Sequence, residues 1–134
     1  MLDEISLRVY DWDGLYAKKD IYYFMNIKAI EKKAEIFQIL SHPVRLQILN
    51  ELRKREACVC HLQAITKRPQ AYVSQQLRIL READLVIDEK DGQNVYYHLH
   101  DEMVLKLLED TLGPAEPPKF LFGCNCPFCQ ARNT

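Results

Sequence analysis

The sequence predicts a mainly α-helical domain carrying one small β-hairpin, in the order α-α-α-α-β-β-α. Three observations carry that prediction. Apolar residues recur at spacings of three and four through most of residues 27–112. Prolines and a capping aspartate cut this pattern into helix-sized pieces. Between Leu85 and His100 the period drops to two, around an Asp91-Gly92 pair of the kind that joins hairpin strands. A chain of 134 residues, 48 % hydrophobic and 28 % charged, is large enough to bury a single core.

Each element follows from its own residues. Ile27, Ile30, Ala34, Phe37 and Leu40 mark the first amphipathic helix. It ends at Ser41-His42, because a residue before proline is pushed out of the helical region. Pro43 then suits the first turn of a second helix, where no N–H is needed, and Val44, Leu46, Ile48, Leu49 and Leu52 form its apolar face. A short third helix spans about Cys58 to Thr66, with Val59, Leu62 and Ile65 turned inward. After the break "TKRPQ", Pro69 opens a fourth helix that buries Val73, Leu77 and Leu80. Its other face shows Tyr72, Ser74, Gln75, Arg78 and Arg81. The hairpin "LVIDEK-DG-QNVYYHLH" follows, and Asp101 caps a last helix with Val104, Leu105, Leu108 and Leu112 along one side. Gly113-Pro114 stops it.

The chain therefore divides into an N-terminal arm (1–25), a helical domain with its hairpin (26–112), and a proline-rich linker with a cysteine-rich tail (113–134). The arm is aromatic, and its Trp12, Tyr16, Tyr22, Tyr23 and Phe24 call for a docking surface. Charge is uneven. Residues 42–100 hold 9 basic and 7 acidic side chains, whereas the two flanks are acidic, with 6 basic against 7 acidic and 3 against 5. This mild asymmetry points to no partner by itself. No apolar run approaches the roughly 20 residues that span a bilayer, so no membrane association and a cytoplasmic location are expected. No glycine-rich phosphate loop and no nucleophile–base arrangement suggests an enzyme.

All five cysteines fall in two clusters, "CVC" at 58–60 and "CNCPFC" at 124–129. An odd number of thiols in a reducing compartment argues for metal or redox chemistry over a disulfide framework. On a regular helix Cys58 and Cys60 would point roughly 200° apart. Both can hold one ion only at a frayed or distorted first turn, where the helix dipole favours a thiolate. Cys124, Cys126 and Cys129 lie in a short loop that can wrap a soft ion. Three thiolates without neighbouring carboxylates favour As(III), Cd(II), Pb(II), Hg(II), Cu(I) or Zn(II). The simpler alternative, two small core hydrophobes at 58 and 60, stays open.

The run "ILSHPVRLQILNEL…CVCHLQ…QAYVSQQLRILREADLV…DGQNVYYHL" resembles the arsenic-repressor (ArsR/SmtB) family of winged helix-turn-helix metal sensors, over roughly residues 30–112. The resemblance implies a homodimer, with the first and last helices at the contact, bound to double-stranded operator DNA and released by a metal or metalloid ion. In such a unit the second helix enters the major groove and its N-terminal side chains meet base edges. Gln70, Tyr72, Ser74 and Gln75 occupy that stretch, and glutamine matches the two-pronged edge of adenine. Arg78, Arg81, Lys67 and Arg68 are placed to hold phosphates, and Lys90 sits beside the hairpin tip. The effector, As(III), Cd(II), Pb(II) or Zn(II), would be held by Cys58, Cys60, Cys124, Cys126 and Cys129.

Departures from the family pattern narrow this. Where some relatives carry a third cysteine after the thiol pair, this chain has His61 and Gln63 at the matching positions, so the pair needs outside ligands. Of the acidic and histidine set that binds zinc on the last helix of other relatives, only Asp101 matches, and Met103 replaces a histidine. His61 is expected to be a surface or hydrogen-bonded residue and not a ligand. Two alternatives remain: a repressor of the same fold whose thiols are a redox switch, and a metal-buffering protein on a winged-helix scaffold.

Overall fold

The first helix does not begin where the apolar spacing begins. In the computed structural model, which describes residues 16–117, α1 runs from Tyr16 to Leu40, extending 11 residues ahead of Ile27. Alanines, lysines and glutamates, all good helix formers, fill much of it. Part of the expected arm is thus helical, while the docking expected of its aromatic side chains lies outside the described side chains. The rest of the order is α2 (Pro43–Leu52), β1 (Ala57–Cys58), α3 (Val59–Thr66), α4 (Gln70–Glu82), β2 (Val86–Asp91), β3 (Asn94–Leu99) and α5 (Glu102–Leu112). Two compact units result, one up to Gln38 and one from Ile39 onward.

Within the first unit, much of the apolar stripe of α1 is open to solvent. Ile30 is 59 % and Phe37 54 % exposed, and Ala34 is open as well, whereas Ile36 is buried. An apolar groove lined by Asn26, Ala29, Ile30, Lys33, Ala34 and Phe37 runs along this face.

The second unit packs α2, α3 and α4 with a three-stranded antiparallel sheet of order β1-β3-β2, and α5 follows the sheet in sequence. Ile48, Leu49, Leu62, Val73, Leu80, Leu85, Val86 and Val104 are fully enclosed, as the helical spacing predicted for most of them. The corner before α2 forms as proline demands: His42 is extended (φ −150°, ψ 123°) and Pro43 starts the helix. Lys67, in the left-handed region at φ 55°, turns the chain sharply after α3, and its N–H donates to the Gln63 carbonyl at 2.8 Å. Helix α4 ends with Asp84 at φ 59°, the Asp84 N–H donating to Arg81 and the Leu85 N–H to Leu80. That pair of bonds satisfies carbonyls which every helix end leaves unpaired. Asp101 caps α5 by accepting the Val104 N–H at 2.9 Å.

The sheet differs from the expected hairpin in two ways. Asp91 pairs with Asn94, so the turn consists of Gly92 and Gln93, one residue later than expected. Gly92 has φ +62° and Gln93 does not share the positive φ, which makes this a turn with glycine at its first central position. The second difference is β1. Ala57 pairs with Tyr97 and Cys58 with Tyr96, adding a short strand that local pattern does not reveal. Cys58 therefore belongs to a strand and not to the first turn of α3.

Candidate nucleic-acid interface and thiol turn

Helix α4 has two faces of opposite character. Val73, Gln76, Leu77 and Leu80 are buried, while Gln70, Ser74, Gln75, Arg78 and Arg81 are exposed. Lys67 and Arg68 are exposed in the turn before it, and Lys90 is exposed next to the hairpin turn. Eight of the nine residues expected to meet DNA are thus open to solvent, on α4, its leading turn and the wing. Tyr72 is the exception. It is half-buried, its hydroxyl lies 3.4 Å from His42 Nε2, and the Arg68 guanidinium sits 5.5 Å above its ring. That stacking holds Arg68 at the turn.

The arginines differ in how they are held. Arg78 lies 3.6 Å from Glu82, both well exposed, so this pair contributes little. Arg81 donates from Nη1 to Asp88 Oδ2 at 3.2 Å and so links α4 to β2. Tyr97 lies against the same two charges. Burial raises its phenol above the ordinary 10.0, Asp88 adds to the rise, and Arg81 opposes it.

The thiol turn is built from a strand end and a helix start. Cys58 is the last residue of β1 and the N-cap of α3 (φ −85°, ψ 166°), with no side-chain cap bond. It is 6 % exposed, and Cys60 is half-buried. Of the trio at 58–60, the core member is therefore Cys58, while Val59, expected inside, is half-exposed. The strand register opposite Tyr96 sets this, overriding the helical phase. The 200° separation of helical positions does not constrain the two thiols, because only Cys60 is helical. Among the described residues no group of three or more His, Cys, Asp or Glu side chains could hold a metal ion. Cys124, Cys126 and Cys129 lie outside the described residues.

Behind the thiol turn is a polar cluster that sequence reasoning did not find. Glu51 and His61 are 3 % and 1 % exposed and meet at 2.9 Å, Glu51 Oε1 to His61 Nε2. Lys54 Nζ lies 3.1 Å from Glu51 Oε2, and Arg55 Nη2 lies 3.3 Å from His61 Nδ1. An arginine only donates, so Nδ1 accepts and Nε2 carries the proton given to Glu51. Burial pushes the Glu51 carboxyl up, but the hydrogen bonds from His61 and Lys54, with the charge of Lys54, outweigh it and hold the group below the ordinary 4.5. Both ring nitrogens of His61 have hydrogen-bonding contacts, so of the two places expected for it, surface or hydrogen-bonded, the structure shows the second.

A helix-turn-helix with a sheet behind it and an open, basic outward face is the geometry of a DNA-binding wing domain. Comparison with known proteins agrees. The family described as bacterial regulatory proteins of the arsR type matches residues 42–88. A transcriptional repressor SmtB homolog of Synechocystis is 41 % identical over 87 residues, covering 65 % of this chain and 66 % of the relative. The arsenical resistance operon repressor of Bacillus subtilis is 38 % identical over 84 residues, covering 62 % of this chain and 80 % of that repressor. The chain belongs to the ArsR family. Among solved structures, the homodimeric winged helix-turn-helix domain Mb0332 of Mycobacterium bovis superposes with a TM-score of 0.60 at 25 % identity, covering 65 % of this chain and 81 % of that one. As an ArsR-family member the chain is a DNA-binding transcriptional regulator and not an enzyme. No described helix is long and apolar enough to cross a membrane.

Proposed function

We propose that the protein is a cytoplasmic homodimeric repressor that holds operator DNA and releases it on binding a soft thiophilic ion. Gln70, Ser74 and Gln75 face base edges, with Tyr72 at their margin. Lys67, Arg68, Arg78, Arg81 and Lys90 face phosphates. Phosphate contacts set register, and base contacts set sequence. The exposed Ile30, Phe37 and Leu112 supply apolar surface for a second copy, and the Mb0332 domain is described as a homodimer.

The observation that carries the effector reading is the place of Cys58. It ends the strand paired with the wing and caps α3, which packs on α4. Cys58 and Cys60 fit a thiophilic ion in donor type, but two thiols do not complete a site, so Cys124, Cys126 and Cys129 provide the remainder. Trivalent arsenic takes three sulfurs and zinc or cadmium four, so As(III), Cd(II), Pb(II) and Zn(II) all suit the five available. The name of the Bacillus subtilis relative, an arsenical resistance repressor, favours the metalloid. Ligation at Cys58 would pull on both β1 and the first turn of α3, since Cys58 ends the one and caps the other.

The test is fluorescence anisotropy on a duplex selected in vitro by the full chain, titrated separately with the four ions. At least one ion should release the duplex from wild type, and Cys58→Ser and Cys124→Ser should each abolish that release while binding DNA normally. Duplex affinity indifferent to all four ions in reduced protein would overturn the effector reading.

A further inference from the structure

Gln76 is a polar side chain in an apolar row. It lies inside with Val73, Leu77 and Leu80 and is 6 % exposed, where a leucine would satisfy packing. A buried carboxamide costs stability unless it is bonded. Its partner is Arg45, whose Nη1 donates to Gln76 Oε1 at 3.0 Å. The same guanidinium donates from Nε to the Ile39 carbonyl at 2.6 Å, in the last turn of α1, one of the carbonyls a helix end leaves unpaired. One planar, rigid group thus spans α1, α2 and α4. A parallel and weaker tie runs from His42 to Tyr72, one turn before Gln76 on the same helix.

We propose that Arg45 and Gln76 form a strut that sets the pitch of α4 against the last turn of α1, and thereby the spacing of half-sites the dimer accepts. This rests on the proposed dimeric, DNA-reading function. Two subunits read two half-sites only when their reading helices stand about one DNA turn apart. Helix α4, with 13 residues, is about 20 Å long. A tilt of about 10° about its C-terminal end moves its first turn by about 3.5 Å, close to the 3.4 Å rise of one base step. Small errors in pitch therefore change which spacing is read. Arg45 and Gln76 are positioning residues, since neither is on the exposed face of α4.

The experiment uses the full chain and a palindromic duplex selected from a random pool by wild type, with variants whose central spacer is one or two base pairs longer or shorter. Wild type should lose roughly tenfold or more per base pair of spacer error. Gln76→Leu and Arg45→Lys should each bind the best duplex about tenfold more weakly and flatten the spacing profile to less than threefold per base pair. Gln76→Glu, which keeps an acceptor for Arg45, should restore the sharp profile. Three outcomes overturn the strut: Gln76→Leu and Arg45→Lys with the wild-type profile, a uniform loss across all spacers tracking a loss of thermal stability, or Gln76→Glu as flat as Gln76→Leu. A wild type with no spacing optimum at all sinks the dimeric reading itself, and the strut with it.

Discussion

Replacing His61 with alanine should destabilise the fold out of proportion to the side chain's size. The substitution leaves the Glu51 carboxylate, 3 % exposed, with Lys54 as its remaining charged partner in the cluster. Breaking a buried pair costs about 3–5 kcal/mol when the stranded charge has no other partner, and a bond to a charged group is worth about 1.5–3 kcal/mol. With Lys54 retained, we expect a loss of about 3 kcal/mol at pH 7, including the space left by the ring. Replacing both residues, as Glu51→Leu with His61→Leu, removes the charge as well, and its cost should be well below the sum of the single losses. The assay is equilibrium urea unfolding at fixed protomer concentration, because dimer formation would couple stability to concentration. Acidification adds a second arm. The Glu51 carboxyl is held below its ordinary 4.5, so its contribution is present above that value and is lost as pH falls through the depressed one. Wild type should weaken over that acid range more steeply than the double variant. A His61→Ala protein within 0.5 kcal/mol of wild type (about the size of an ordinary surface change) would refute the argument.

Other perturbations have separate outcomes. Asp88→Asn frees Arg81 from an exposed pair, so unfolding stability should change by less than about 1 kcal/mol. Binding to the selected duplex should tighten, and its salt slope should steepen by about one phosphate contact, read by anisotropy from low to moderate salt. Tyr97 is raised above 10.0 in the fold, so its contribution to stability is intact below that value and fades as alkaline pH climbs through the raised one. Ultraviolet difference titration should find one tyrosine ionising late, and less late in Asp88→Asn. Leu80→Ala, at a fully buried position of α4, should cost about 2–5 kcal/mol in urea unfolding and lower duplex binding only through the fraction folded.

What sequence could and could not reveal follows the range of the forces involved. Pro43, Asp101 and the Val73–Leu77–Leu80 row act within one or two turns of chain, and they place α2, α5 and α4 correctly. Strand β1 has two residues and exists only through pairing with Tyr96 and Tyr97, nearly forty positions away, so no local pattern announces it. The hairpin turn slipped by one residue because Asp91 closes the ladder instead of starting the turn. The exposure of the α4 side chains other than Tyr72 was legible from helical phase, whereas the same phase misplaced Cys58 and Val59, which the strand register governs. The same phase could have shown Gln76 to be inside, since it lies three positions after Val73 and beside Leu77. Glu51 with His61 and Arg45 with Gln76 are tertiary matches across separate helices, and composition is silent about them.

Arg53, at the C-terminal end of α2, donates from Nη1 to the Gly113 carbonyl at 2.7 Å, tying the exit of α5 to a point five residues before Cys58. Cys124 follows eleven positions after that anchor, a tether of up to about 36 Å when fully drawn out. For the ion site proposed above, a flexible tether of this length would correspond to an effective concentration on the order of millimolar. If the proposed ion site joins tail and turn of the same chain, its capture would be a closure within one polypeptide, whose midpoint would not shift on dilution; a site shared across the dimer would shift with protomer concentration. On that proposal, Arg53→Ala would loosen the anchor and weaken ion capture although all five cysteines are retained.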